Sequence, residues 1–234
     1  LSMALPAFRL PNEVVDQDVA NVTALGVEIV TGARVEDLET LKAAGHDAVL
    51  VATGTHRSTK LGVPGEDLPG VLKALDFLRA VKSGEVPDVR GRDVAVVGGG
   101  NVAIDAARTA LRLGAETVQV VYRRSRDEMP ANAWEIEEAE KEGVRFVYLA
   151  TPTECVGEDG VDSLVCQPME LAEPDESGRR RAVPSEMAPF VLEGHSIVDK
   201  DGNEPANGQA AGGGSGKLLV IIAAGLAPDV AGFG

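Results

Sequence analysis

Three consecutive glycines, Gly98, Gly99 and Gly100, followed by Asn101, Val102 and Ala103, are the residues best suited to hold a phosphate. Backbone without side chains lets an anion approach peptide N–H groups. A helix opening directly after the turn adds its own unpaired N–H groups and the positive end of its dipole. The pattern is Gly-x-Gly-x-x-Ala. In such a turn Gly98 permits the tight reversal, Gly100 the close approach to a pyrophosphate, and Ala103 the close packing of helix on sheet. Ala106, Ala107 and Ala110 continue that small face. The competing reading, a glycine-rich turn that binds nothing, leaves three conformationally costly residues without a use.

A second group bears on which dinucleotide would bind. NAD sites usually end their second strand in Asp or Glu, which bonds the ribose 2′-hydroxyl. Here that stretch ends Val121-Tyr122-Arg123-Arg124-Ser125-Arg126, about 25 residues past Gly98. No acid stands at the tip, and an arginine fork can grip a 2′-phosphate through two parallel hydrogen bonds. The chain carries a net charge of −15, so a cluster of cations stands out from its background. Arg123 and Arg124 are therefore candidate 2′-phosphate ligands, and NADPH is the expected cofactor. The alternative pairs the arginines with an acidic helix at Glu135, Glu137 and Glu138.

The remaining candidates are weaker. Asp105 lies one turn into the helix, where a carboxylate would repel a phosphate; it reads either as a nicotinamide-side group or as an ordinary helix residue. Arg9 reads as a flavin contact or as a pin for its loop. Arg108 and Arg112 are expected on the exposed side of the helix, and Arg179, Arg180 and Arg181 in solvent. His46, His56 and His195 fall on predicted loops without ligand spacing. Cys155 and Cys166 form no CxxC pair and read as reduced thiols. No catalytic nucleophile is called for, because hydride transfer is carried by the cofactors themselves.

The elements that must position these groups follow from apolar patterning. Residues 93–97 read as a strand, 98–100 as a tight turn, and 101–113 as a helix closed by Gly114. A strand at 117–122, an acidic helix at 132–142 and a strand at 144–149 complete a βαβαβ unit of a parallel doubly wound sheet. Upstream, helices are expected at 12–25, 35–44 and 71–83, and strands at 27–30 and 47–54. Residues 84–91 read as a linker. Beyond about 152 short strand-like pieces indicate an antiparallel meander, and residues 201–216 a mobile loop. Residues 218–225 return to a buried strand whose Ala-x-Gly ending echoes that of 47–54.

Composition narrows the class of function. At 44% hydrophobic and 25% charged residues the chain has an ordinary globular balance, and 3% aromatic content leaves the core to Val, Leu, Ile and Ala. The acidity argues against nucleic-acid binding. No apolar run approaches the ~20 residues of a membrane span and no signal-peptide pattern opens the chain, so a cytoplasmic protein is expected.

The stretch VVGGGNVAIDAARTALRLGAETVQVVYRRSRDEMPA resembles the glutamate synthase small subunit and the NADPH–FAD region of dihydropyrimidine dehydrogenase. Three further stretches fit the same two-dinucleotide flavoprotein family in the same order: LPAFRLPNEVVDQDV, VATGTHRSTKLGVPGEDLPGVLKALDFL and VIIAAGLAPDV. The resemblance implies an α/β fold, with a Rossmann-like NADPH domain (89–217) inserted into a partial FAD-binding domain (1–88, with 218–234 as the return strand). It implies that Gly98 to Ala103 hold the pyrophosphate and Arg123 and Arg124 the 2′-phosphate. Ala52, Thr53 and Gly54 would turn past the flavin, and Asp105, Ala224 and Gly225 would sit nearer the nicotinamide. It implies hydride transfer from NADPH to FAD, with electrons passing to [4Fe-4S] clusters or a partner subunit.

The family's first Gly-x-Gly-x-x-Gly, its Cys-rich region and its closing Gly-Asp segment do not occur here. The chain is thus expected to be an internal fragment, with FAD bound by the parent protein. A non-catalytic NADP(H)-binding module and a ferredoxin-linked NADP oxidoreductase subunit are the alternative functions.

Overall fold

The computed structural model describes residues 2–85, 87–176, 178, 180–194, 196–199, 218–224 and 226–227. The loop expected at 201–216, and Arg179, His195 and Gly225, lie outside the described residues.

In chain order the elements are α1 (Asn12–Ala24), α2 (Leu38–Ala43), β1 (Arg57–Ser58), β2 (Val71–Lys73), α3 (Ala74–Ser83), β3 (Asp93–Val97), α4 (Asn101–Arg112), β4 (Thr117–Tyr122), a 3₁₀ turn (Arg126–Glu128), α5 (Ala133–Glu142), β5 (Arg145–Tyr148), β6 (Ala150–Val156), β7 (Ser163–Pro174), β8 (Arg180–Pro184), β9 (Phe190–Glu193), β10 (Ser196–Asp199), β11 (Leu218–Ile222) and β12 (Leu226–Ala227).

Five strands form a parallel sheet in the order β2-β11-β3-β4-β5. All five residues of β3 and all five of β11 are buried, because both faces of the sheet are covered. Successive residues alternate between two cores. Val94, Val96, Leu219 and Ile221 pack with α3, α4 and α5. Ala95, Val97, Leu218, Val220 and Ile222 pack against the antiparallel strands, with Cys155, Leu164, Cys166 and Leu192. The Rossmann-like parallel sheet and its βαβαβ unit are as the sequence predicts. Its second face is covered by the meander β6–β10, where a doubly wound sheet carries helices. The meander thus supplies one side of the second, smaller core cluster.

The sheet draws on residues from both sides of the expected linker at 84–91. β2 and α3 precede that linker and belong to the sheet and its helical layer. β11, expected to return to a flanking domain, lies between β2 and β3. Ala103, Ala106, Ala107 and Ala110 have no exposed surface and bring α4 close to the sheet. A larger side chain at any of them would overpack the contact, typically at about 1–3 kcal/mol.

Two expectations fail upstream. Residues 27–30 and 47–54 form neither helix nor strand, and Leu50 is 90% exposed. An apolar run becomes a buried strand only where neighbours accept its hydrogen bonds and cover its faces, and the described residues offer neither. α1 forms where expected but has no buried residue, and Val14, Val19 and Val22 stay in solvent.

Candidate functional site

The carboxyl ends of β3 and β11 meet where the chain order of the sheet reverses. Ligands of open α/β sheets bind at such switch points. A cleft of about 350 Å³ opens there, within the size range of small-molecule sites. The glycine turn after β3 forms its floor, and Ala223 and Ala224 after β11 one wall. Tyr122, Arg123 and Arg124 at the end of β4, with Glu128 and Pro130, form another. Leu61 and Ala150, Thr151 and Pro152 complete it.

Each glycine of the turn has a distinct physical reason. Gly98 has φ +141°, and a Cβ there would stand 2.6 Å from the Ala223 carbonyl oxygen. A Cβ on Gly99 would stand 2.5 Å from the Tyr122 ring. Gly98 and Gly99 are therefore required by packing. Gly100 differs: a Cβ there would meet nothing within 4 Å. Its hydrogen faces open cleft, directly before the first turn of α4. That turn has no side-chain cap and no acidic residue. The N–H groups of Asn101 and Val102 have no intrahelical acceptor, as the geometry of any helix start requires. The cradle thus combines open space, free backbone donors and a positive dipole end, the chemistry a pyrophosphate needs.

The turn is braced on both sides. Gly98 N–H donates to the Val121 carbonyl at 3.0 Å, and Ala223 N–H to the Val97 carbonyl at 2.8 Å. From the far side, Ala131 N–H donates to the Gly99 carbonyl at 3.1 Å, and Asn132 N–H to Asn101 Oδ1 at 3.0 Å. The side chain of Asn101 therefore ties a neighbouring loop to the helix start.

The arginines divide. Arg126 pairs with Glu140 of α5, the acidic helix of the alternative reading, though at a residue that reading did not name. Arg123 and Arg124 both line the cleft. Arg124 is 8% exposed, and its Nε has no hydrogen-bond partner among the described residues. A buried N–H left without an acceptor is costly, and an anionic ligand in the cleft could satisfy it. Leu149, the one described non-glycine residue with positive φ (54°), joins β5 to β6. Its N–H donates to the Arg124 carbonyl, and its strained turn delivers Ala150 to Pro152 to the cleft wall.

Gly98, Gly99, Gly100, Arg123, Arg124 and Ala224 thus come together on one cleft, with Asn101, Val102 and Ala103 following the turn as the opening of α4. Ala52, Thr53 and Gly54 do not join them; they lie in exposed coil. Asp105 is also elsewhere. It is 4% exposed and ion-paired with Arg9 at 2.8 Å. Burial pushes its carboxyl up to about 6 against the pull of Arg9, with Glu135 adding to the rise. Arg108, expected in solvent, is 6% exposed. Arg108 and Arg112 both pair with Glu142 at 2.6 Å, and both stack on the Phe8 ring, at 4.8 and 4.2 Å from its centre. Their hydrogen bonds hold the Glu142 carboxyl down at about 2.

Leu61, Glu128, Thr151 and Pro152 are lining residues that sequence reasoning missed. For Thr151 and Pro152 a signal existed, since they follow the carboxyl end of a parallel strand. Leu61 carries no local signal.

Residues 6–184 match the family model described as pyridine nucleotide-disulphide oxidoreductase. The chain is 44% identical over 216 residues to the NADP(+)-dependent formate dehydrogenase subunit beta of Moorella thermoacetica, covering 90% of this chain and 30% of that protein. It is 35% identical over 218 residues to the glutamate synthase [NADPH] small chain of Halomonas elongata, covering 88% of this chain and 46% of that protein. Among solved structures, Mycobacterium tuberculosis FprA in complex with NADPH superimposes with a TM-score of 0.59 at 22% identity, covering 80% of this chain and 51% of that one. The chain therefore spans from about 30% to about half of the length of these relatives. No helix among the described residues is long and apolar enough to cross a membrane.

Proposed function

The chain belongs to the pyridine nucleotide-disulphide oxidoreductase family, and from that premise we propose that its cleft binds NADP(H) and serves an NADPH-dependent flavoprotein oxidoreductase. The observation that carries this is the pairing, in one cleft, of an open glycine cradle at Gly100 with the buried side chain of Arg124, whose Nε has no hydrogen-bond partner among the described residues. The pyrophosphate would lie on Gly98 to Ala103 and the first turn of α4. Arg123 and Arg124 would hold the 2′-phosphate. Ala224 would lie on the nicotinamide side, and NADPH supplies a hydride from that ring. The remaining side chains orient the cofactor rather than react.

For the whole protein the proposal extends further. Relatives bear the names of subunits that use NADPH or NADP, so we read this chain as the part that receives reducing equivalents. FAD, [4Fe-4S] clusters and an electron-accepting partner subunit belong to that wider proposal. Ala52, Thr53 and Gly54, expected to turn past a flavin, lie in exposed coil, and no step through FAD is assigned to this chain.

Titration calorimetry with NADPH and NADH tests the reading. Wild type is expected to favour NADPH. Arg123→Glu with Arg124→Glu should weaken NADPH by about 100-fold or more, as expected when charge-assisted bonds to a phosphate are replaced by repulsion, and leave NADH within about threefold. Equal losses for both would overturn the 2′-phosphate assignment.

A further inference from the structure

Arg9 lies 96 residues from Asp105 in sequence and is bound to it at 2.8 Å through one guanidinium nitrogen. Its other terminal nitrogen is 2.6 Å from Glu135 Oε1, an ion pair by distance without the alignment of a hydrogen bond. The side chains of Asp105 and Glu135 are 6% and 1% exposed. One cation therefore serves two buried carboxylates from two different helices. Nothing in the dinucleotide reading uses this cluster, and two buried carboxylates are expensive unless a cation, here the half-buried Arg9, is held beside them.

The cluster has a route to the cleft. Glu135 Oε2 accepts from Asn132 Nδ2 at 3.3 Å. Asn132 N–H in turn bonds Asn101 Oδ1, and Ala131 N–H bonds the Gly99 carbonyl. Residues 129–132 thereby close against the phosphate cradle, and Pro130 lines it. On the other side, Arg9 belongs to the segment whose Phe8 ring is stacked on Arg108 and Arg112.

We propose that Arg9 is a positioning residue for the nucleotide cleft: its fork spans Asp105 and Glu135 and, through Glu135 and Asn132, holds residues 129–132 against the glycine turn. Docking of the 6–11 segment and binding of a dinucleotide's phosphates then favour one another. The coupling is reciprocal, as any coupling between two sites must be. A lysine cannot replace Arg9, because a single ammonium does not present the planar fork that reaches both carboxylates. The charged groups facing Asp105 are Arg9, Arg108 of its own helix and Glu135 of α5. Without Arg9, Asp105 and Glu135 would repel each other, and protonation of Asp105, whose carboxyl burial already pushes up, would relieve the repulsion.

The test uses the full chain and two readouts, of which only the second rests on the cleft being a dinucleotide site. The first is amide hydrogen exchange in ligand-free protein. In Arg9→Met at pH 7.5, exchange at Ala131 and Asn132 should rise about tenfold or more, while amides of β3 and β4 keep their protection. Arg9→Lys should fall between. Lowering the pH to 5.5, or adding Glu135→Gln, should restore protection in Arg9→Met. The second readout is NADPH titration, where Arg9→Met should bind about tenfold more weakly, within the range usual for coupled sites. Glu135→Gln should recover that loss.

Unchanged exchange at Ala131 and Asn132 in a folded Arg9→Met would overturn the proposal and leave Arg9 a structural pin. So would a loss that neither acid nor Glu135→Gln repairs. Absence of NADPH binding in wild type would refute the dinucleotide reading alone, and the exchange readout would still decide the coupling. If Arg9→Met does not fold, Arg9→Lys carries the same comparison.

Discussion

Gly100→Val separates folding from binding more cleanly than any other change in the glycine turn. The backbone at Gly100 has φ −91° and ψ 174°, which every residue adopts. A Cβ there meets nothing within 4 Å. The residue caps α4, and replacing glycine by valine at a helix start costs about 1 kcal/mol or less, partly offset by stiffening the unfolded chain. The melting temperature should fall by only a few degrees. The added side chain, however, fills the space through which a phosphate reaches the N–H groups of Asn101 and Val102. Losing two charge-assisted hydrogen bonds, each about 1.5–3 kcal/mol, weakens binding by about 10²- to 10⁴-fold. Calorimetric titration with NADPH gives the affinity, and a thermal melt monitors the fold. Gly98→Val is the contrasting control. It adds a Cβ 2.6 Å from a carbonyl oxygen at φ +141°, so it should unfold the protein whether or not a ligand is present. A folded Gly100→Val that binds NADPH within threefold of wild type would refute the placement of a pyrophosphate on this turn.

Glu142→Gln removes the carboxylate shared by Arg108 and Arg112 and should lower stability at pH 7. Because that carboxyl is held at about 2 in the folded protein, its contribution is present above the ordinary glutamate pKa and lost as pH falls toward 2; melts across pH 7 to 2.5 should show the two proteins converging, and a constant gap would refute the pairing. Burial raises the thiols of Cys155 and Cys166 to about 11 and 12. An aromatic disulfide reagent at pH 8 should therefore label both slowly in native protein and quickly in denaturant, since the thiolate is the reactive form; rapid native labelling would contradict their burial.

What the sequence made legible is local. β3, α4, β4, α5 and β5 are each bounded by a turn residue and patterned at one period. Gly84 and Gly143 close α3 and α5 in the left-handed conformation that glycine tolerates. The glycine turn and the arginines at the end of β4 fall on the cleft because the βαβ unit fixes both positions relative to the same strand ends. What was not legible depends on distant chain. Arg108 and Arg112, four residues apart, look like a solvated face; Arg112 does stay exposed, but Phe8 and Glu142 cover Arg108. Asp105 looks like a cofactor group or a plain helix residue; Arg9 makes it part of a buried charge cluster.

The runs at 47–54 and 218–225 make the same point most sharply, since both are apolar and end in Ala-x-Gly. Local propensity cannot tell them apart. β11 gains a strand on each side, β2 and β3, and cover on both faces, so every one of its residues is buried. Residues 47–54 gain neither among the described residues, and Leu50 is left 90% exposed. A fully buried strand stabilises by the apolar area its neighbours remove from water, roughly 25 cal/mol per Å², so identical sequence patterns are worth several kcal/mol in one setting and almost nothing in the other. The position of β11 then fixes the site: only a strand inserted beside β3 puts Ala223 and Ala224 across from the glycine turn and creates the switch-point cleft.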